Sequence, residues 1–257
     1  MDIGIPTLIE HHSIEEAAKL AHTLGFRFVE LNMNLPWVIS SLNADELERI
    51  SLQYQVYFTI HADENLFFCD FNHRVSHAHL ESMLELIHIA KATHIPLINF
   101  HMSAGVYFTL PSEKVFLFEK FESEYQNKLL AFATKCNQAA EDKVALCIEN
   151  TGQNHAFIHR GIDALLSYPA FHLTWDIGHD YSAGLCDSPF LLQRNVQIIH
   201  MHLHDAVGKS CHLPLGKGEM HPENFLKRAT PQRVVVEVKT IQGLYESISW
   251  LKEHQLI

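Results

Sequence analysis

Six short segments of the chain each end in a side chain able to ligate a metal. They read Ile60-His61-Ala62-Asp63, Asn99-Phe100-His101-Met102, Ile148-Glu149-Asn150-Thr151, Trp175-Asp176-Ile177-Gly178-His179, His200-Met201-His202-Leu203-His204-Asp205 and Val236-Glu237-Val238. Imidazole nitrogen and carboxylate oxygen together suit Zn, Mn, Fe or Co better than Ca, and the lack of thiolates in the set argues against a structural zinc. One histidine in such a place is ordinarily a satisfied interior or loop residue. A carboxylate is harder to place: Glu149 and Glu237 sit in apolar runs, where an uncompensated charge costs several kcal/mol, so each needs a partner or an ion. Six coincidences at the corresponding point of six segments make chance a poor account. The expectation is a divalent-metal site, Zn or Mn, with one ion or more.

Most of the 20 histidines are not part of this set. His11, His12, His73, His77, His79 and His88 fall in loops or on helix faces without a matching partner. His200, His202 and His204 alternate and so share one face of a strand, but all three cannot crowd around one ion. His200 falls a layer deeper and reads as core, while His204 is open between the two roles.

The elements that must position these residues follow one pattern from end to end. Strand-like apolar runs at 3–7, 26–31, 55–61, 96–101, 144–149, 172–176, 197–204 and 233–238 alternate with helical stretches. Several runs are nearly continuous in apolar residues, as parallel strands covered on both faces should be. The helical stretches are 13–24, 45–53, 74–93, 112–141, 161–167, 188–195, 221–228 and 241–254. The first opens with a capping box, Ser13 to Glu16, and closes at Gly25. Such alternation gives an α/β fold, either a closed barrel or an open doubly wound sheet. No glycine-rich nucleotide loop follows the first strand, which removes the main support for the open sheet. The length of 257 residues fits one (β/α)8 TIM barrel of ~250 or two small domains and decides nothing alone, but with no internal linker, low-complexity segment or clear repeat the expected architecture is a single-domain TIM barrel spanning 1–257. In a barrel the six strand ends share one rim, where such folds build their active sites.

Composition narrows the partners. The net charge of −11 and the lack of any window dense in Lys and Arg disfavour nucleic acid, since neutralising ~6–10 phosphates needs a basic face. The first ten residues lack a basic segment followed by an apolar one, and no apolar run reaches the ~18 residues of a membrane span, so neither a signal peptide nor a membrane partner is expected. Five cysteines, odd in number and without a CxxC pair, favour reduced thiols and a cytoplasmic location. A small-molecule substrate is the remaining partner class, and nothing in the pattern assigns an oligomeric state.

At Glu149-Asn150-Thr151, Asp176-x-x-His179, His202-x-x-Asp205 and His212-Leu213-Pro214-Leu215-Gly216-Lys217-Gly218, the sequence resembles the xylose-isomerase-like TIM-barrel superfamily, which includes ketose 3-epimerases and type IV apurinic endonucleases. Resemblance to the epimerases implies one ion held by Glu149, Asp176, His202 and Glu237. The two glutamates, as catalytic groups, would then face opposite sides of a bound sugar. His179, Lys209 and His212 are the expected substrate contacts. Resemblance to the endonucleases implies three zinc ions: one on His61, His101 and Glu149, a second on Glu149, Asp176, His202 and Glu237, and a third on His179, His212 and an aspartate two residues before His212. That aspartate is Ser210 here. The missing carboxylate and the acidic charge favour an isomerase or epimerase of a small sugar or hydroxy-keto compound. The alternative is a zinc-dependent phosphodiesterase related to the endonucleases, with a bi- or trinuclear site. Substrate choice falls to the loops 32–42, 62–73 and 102–111, with Asn32, Trp37, Asp63, Phe67 and Tyr107 as candidate pocket residues.

Overall fold

The computed structural model of the chain describes residues 1–152 and 155–257. Eight parallel strands close into a barrel: β1 (Asp2–Pro6), β2 (Phe28–Asn32), β3 (Tyr57–His61), β4 (Leu97–His101), β7 (Ala145–Glu149), β8 (Phe171–Asp176), β9 (Ile198–Leu203) and β12 (Arg233–Val236). Each strand pairs with its neighbour in the chain's order around the ring, and β1 closes it against β12. The fold is the (β/α)8 TIM barrel expected from the alternation of runs. The intervening strands form two antiparallel hairpins on the loops, β5 (Tyr107–Thr109) with β6 (Lys114–Phe116) and β10 (Asp205–Val207) with β11 (Ser210–Leu213).

The helices pack their apolar faces on the outside of the ring. The first, α1 (Ile14–Leu24), starts at Ser13, whose hydroxyl accepts the Glu16 N–H, and stops at Gly25 in the left-handed conformation, φ 88°. The expected capping box is shifted by one residue, because the Glu16 carboxylate accepts the N–H of His12 rather than of Ser13. Next come α2 (Pro36–Ser41), α3 (Ala44–Tyr54), α4 (His73–Ala92), α5 (Leu117–Lys120), α6 (Glu122–Ala140), α7 (Ala156–Leu166), α8 (Ile177–Ser182), α9 (Ser188–Leu192), α10 (Glu223–Leu226) and α11 (Ile241–Glu253). The expected helix at 112–141 is wrong in its first part. Lys114–Phe116 is extended and pairs back on Tyr107–Thr109, with the Tyr107 and Phe116 rings 5.4 Å apart and Lys114 Nζ 4.5 Å from the Tyr107 ring centre. Cross-strand ring packing wins there over helix propensity, and helix resumes only after Phe116. The short α2 and α8 were not anticipated, and neither was the second hairpin.

Two cores result. Outside the ring, strand and helix side chains form a continuous apolar cluster that includes Phe68, Phe100, Phe132 and Phe171. Inside the ring, alternate residues point inward. TIM-barrel interiors are usually filled by Val, Ile and Leu. Here the layer beneath the rim includes Glu30, Thr59, Asn99, Thr174 and His200, all buried. No helix among the described residues is long and apolar enough to cross a membrane.

Phe132 stacks on Phe68 at 3.9 Å between ring centres and packs against Phe100 and Phe171. Phe132→Ala should lower unfolding free energy by about 3–5 kcal/mol, read as a shifted urea midpoint with an unchanged slope.

Candidate metal centre

The strand ends bring the expected residues together. His61, His101, Glu149 and Asp176 are the last residues of β3, β4, β7 and β8, His202 is next to last in β9, and Glu237 directly follows β12. One ligand atom from each of Glu149, Asp176, His202 and Glu237 lies within 4.8 Å of the others. His202 Nδ1 is 3.0 Å from Glu237 Oε2, 3.3 Å from Glu149 Oε1 and 3.8 Å from Asp176 Oδ2. A second group, His61, His101 and Glu149, meets the same limit, with the two Nε2 atoms 3.4 and 3.2 Å from Glu149 Oε2. Glu149 therefore faces both groups, one oxygen to each.

A divalent ion fits this donor set. Among the described residues, His202 Nδ1, His101 Nε2 and Glu237 Oε2 are buried without a hydrogen-bond partner, and all three face the cluster. Buried polar atoms are rarely left so unless something binds them. The atoms behind them are held: His61 Nδ1 lies 2.8 Å from the Ala62 carbonyl, to which it donates, so Nε2 is the ring nitrogen turned toward Glu149. Asn99 Nδ2 donates to Glu149 Oε2. The Asn150 side chain grips the Asp176 backbone on both sides, donating to its carbonyl at 2.9 Å and accepting its N–H at 2.8 Å.

Electrostatics in the cluster are set by burial against mutual attraction. Burial pushes the Glu149 carboxyl up, but the His202 and His101 rings beside it hold it well below the usual carboxylate range. Glu237 is likewise raised by burial and then held well below that range by His202 and Lys239. Burial lowers His202, and the carboxylates of Glu149, Glu237 and Glu30 overcome that and lift it well above the usual imidazole value. His61 is lowered by burial and raised on balance by Glu149, to about 9. His200 has no such partner strong enough, and burial takes it down to about 4. The carboxylates thus favour positive charge at the centre of the cluster, which a dication would supply with the histidines neutral, because a histidine ligates only when neutral.

The third group is Asp176, His179, His204 and His212. Asp176 caps α8 by accepting the His179 N–H at 2.6 Å. The helix is anchored from below by buried Asp180, which accepts from Trp175 Nε1 at 3.1 Å and from the Asp187 N–H at 2.9 Å. His204 Nδ1 accepts the His212 N–H at 2.8 Å, so its proton is on Nε2, which lies 3.1 and 3.2 Å from the Asp176 oxygens. His204 thus supports Asp176 by donating to it. A Cβ on Gly178 would fall 1.8 Å from the His204 ring, so only glycine admits this arrangement. His179 Nδ1 lies 3.6 Å from Asp176 and 3.8 Å from Glu149, and His212 Nε2 lies 3.7 Å from Glu237. Ser210 is exposed at the start of β11 and brings no carboxylate to the group.

Lys209, expected as a substrate contact, is instead exposed beside Gly208 at the turn of the β10–β11 hairpin, where no hydrogen bond or ion pair among the described residues ties it to the cluster. The hairpin carries it outward into solvent. The cation at the site is Lys239, whose Nζ lies 2.7 Å from Glu237 Oε1. Lys239 follows Glu237 by two residues, in the bend just past the strand's end, where the Val238 N–H turns back to the Val236 carbonyl. Glu30 was also missed. It lies in the apolar run Phe28-Val29-Glu30-Leu31, buried at 2% exposure, with Oε1 3.0 Å from His202 Nε2. It carries the same buried-carboxylate signal as Glu149, two residues short of the strand's end.

Asp205 turns out to be a latch. Its carboxylate accepts the N–H groups of Ala206 (2.9 Å), Met220 (3.1 Å), Gly216 (3.0 Å) and Gly218 (2.9 Å). A Cβ on Gly218 would lie 2.3 Å from Asp205 Oδ1, which explains the small residue there. Asp205→Ala should leave those donors without their acceptor and cost more than about 3 kcal/mol. The loss should appear in chemical denaturation and in faster hydrogen exchange at Gly216, Gly218 and Met220.

Residues 18–254 match the family described as Xylose isomerase-like TIM barrel. No curated protein matches the chain. Among solved structures, a D-tagatose 3-epimerase-like protein is 23% identical, with TM-score 0.77 over 99% of this chain and 97% of its own. The apo form of 3-keto-D-glucoside 4-epimerase, YcjR, from E. coli is 15% identical, with TM-score 0.78 over 98% of this chain and 99% of its own. The IOLI protein with a zinc atom is 14% identical, with TM-score 0.74 over 100% of this chain and 97% of its own. At these identities the likenesses establish the shared fold.

Proposed function

The chain belongs to the xylose isomerase-like TIM barrel family, and from that premise we propose that it is a metal-dependent isomerase or epimerase of a small sugar or hydroxy-keto compound. The observation that carries this reading is the convergence of Glu149, Asp176, His202 and Glu237, with buried lone pairs of His202 and Glu237 left unpaired. Two of the structures that share the fold are named as sugar epimerases or likenesses of one, which supports the substrate class.

Those four residues would hold one divalent ion, Zn or Mn. When bound, the ion supplies Lewis acidity beside the substrate carbonyl and offsets the charge that develops on oxygen. The chain's own residues do the rest. One of Glu149 and Glu237 takes the proton from the carbon next to the carbonyl. The C–H electron pair moves into a C=C bond as the carbonyl pair moves to oxygen, giving an enediolate. The other, having taken a proton from solvent, delivers it to carbon, and the first releases its proton to solvent. Lys239 holds Glu237 Oε1, leaving Oε2 turned toward His202 and the site. His179 and His212, each with a buried unpaired nitrogen on the rim, orient substrate hydroxyls.

A second reading, a zinc phosphodiesterase, draws on one observation: the His61, His101 and Glu149 group is as compact as the first. Metal content separates the two. About one ion per chain supports the isomerase, and two or three zinc ions turn attention to phosphodiesters.

Glu149→Gln and Glu237→Gln should each reduce exchange of solvent deuterium into the substrate carbon by about 10²–10⁴-fold with the fold retained. Chelation should abolish it in the unaltered enzyme. Undiminished exchange in both variants across a panel of ketoses would remove the mechanism.

A further inference from the structure

His202 has two ring nitrogens in two different surroundings. Nδ1 faces Glu149, Asp176 and Glu237, as described. Nε2 points down the barrel to Glu30 Oε1 at 3.0 Å. Glu30 comes from β2, and β1 and β12 lie between it and β9 around the ring, so the contact crosses the barrel interior. The other Glu30 oxygen accepts from Thr59 Oγ1 at 3.1 Å, on the neighbouring strand in direct register. It also lies 3.4 Å from His200 Nε2, while His200 Nδ1 is 3.1 Å from Thr174 Oγ1.

A carboxylate in this setting only accepts. In the neutral ring that a metal requires, the contact with Glu30 therefore favours the proton on Nε2 and leaves a bare lone pair on Nδ1. The alternative is not neutral for the site. Nδ1 is 3.0 Å from Glu237 Oε2 and 3.3 Å from Glu149 Oε1, so two carboxylates compete for the same proton from the rim side. A proton on Nδ1 would occupy the direction in which the metal must bind. We propose that Glu30 is a positioning residue of the metal centre: it draws the His202 proton to Nε2 and so presents bare Nδ1 to Glu149, Asp176 and Glu237. An apolar residue would fill the barrel interior at no desolvation cost, and the burial of a carboxylate there follows from this role.

The inference rests on the metal reading of the site, and the test separates the two. Zn²⁺ affinity is measured by chelator competition on the full chain, and the His202 ring is read by ¹⁵N NMR of the zinc-loaded protein, its signals assigned by their loss in His202→Asn. Glu30→Gln keeps an accepting oxygen and removes the charge, whereas Glu30→Ala removes both. Affinity should fall about tenfold in the first and about a hundredfold in the second. The wild-type spectrum should show Nδ1 on zinc and the proton on Nε2. Wild-type affinity in folded Glu30→Ala, or zinc on Nε2, overturns the role of Glu30 alone. If Glu30→Ala does not fold, Glu30→Gln and the wild-type spectrum carry the test. Wild-type protein that binds no divalent ion overturns both the metal reading and this inference.

Discussion

Four carboxylates, Glu30, Glu149, Asp176 and Glu237, are buried in one barrel mouth, none more than 8% exposed. No arrangement of like charges that close survives in a low-dielectric interior without compensation from every side. Much of the unusual local structure follows from that single constraint. His202 stands in the middle of it, within 3.8 Å of all four. His61 and His101 flank Glu149, Lys239 closes off Glu237, and His204 serves Asp176. The polar layer beneath the rim completes the pattern: Asn99 supports Glu149 and Thr59 supports Glu30. An interior that most barrels fill with branched aliphatic residues is given over to holding charge in place.

The same constraint reaches into the loops. His204 can donate to Asp176 only because Gly178 has no side chain and because the His212 N–H occupies its other nitrogen. The His212 N–H is in turn fixed by the β10–β11 hairpin, and the segment after the hairpin is tied down by Asp205. The motif His202-x-x-Asp205 thus joins two jobs three residues apart in the chain: an inward side chain at the rim and a backbone clamp just outside it. Neither needs the other chemically, but a shift of the clamp would move His212, and with it the acceptor geometry of His204.

The barrel and the rim were legible from the sequence for the same reason. Runs such as Val144 to Glu149 are apolar on both faces and end abruptly in a charge, a pattern that parallel strands with a polar mouth produce and few other elements do. What escaped was set by contacts between distant residues. Lys114-Val115-Phe116 has a helix-compatible composition, and only its packing on Tyr107 makes it a strand. Lys209 and Lys239 are equally suitable cations in sequence, and the hairpin turn decides which one reaches the site. Glu30 sits mid-run, and its partner His202 is 172 residues away, a pairing that depends on which strands face each other across the closed ring.

Glu149 sets the boundary between the two chemistries the rim could support. Its Oε1 faces His202 Nδ1, while Oε2 is approached by His61, His101 and the Asn99 amide. A carboxylate with one oxygen on an ion still has lone pairs on the other with which to move a proton. If a second ion sits between His61 and His101, that oxygen is engaged as well, and the group becomes a bridge with little basicity left. Proton transfer by Glu149 and a filled His61–His101 site therefore exclude one another at a single atom. The Asn99 hydrogen bond bears on this balance, since it takes up one direction of Oε2 and weakens that oxygen as a ligand for a second cation. Asn99 on one side and Glu30 on the other thus hold Glu149 and His202, the two residues on which the choice between those chemistries turns.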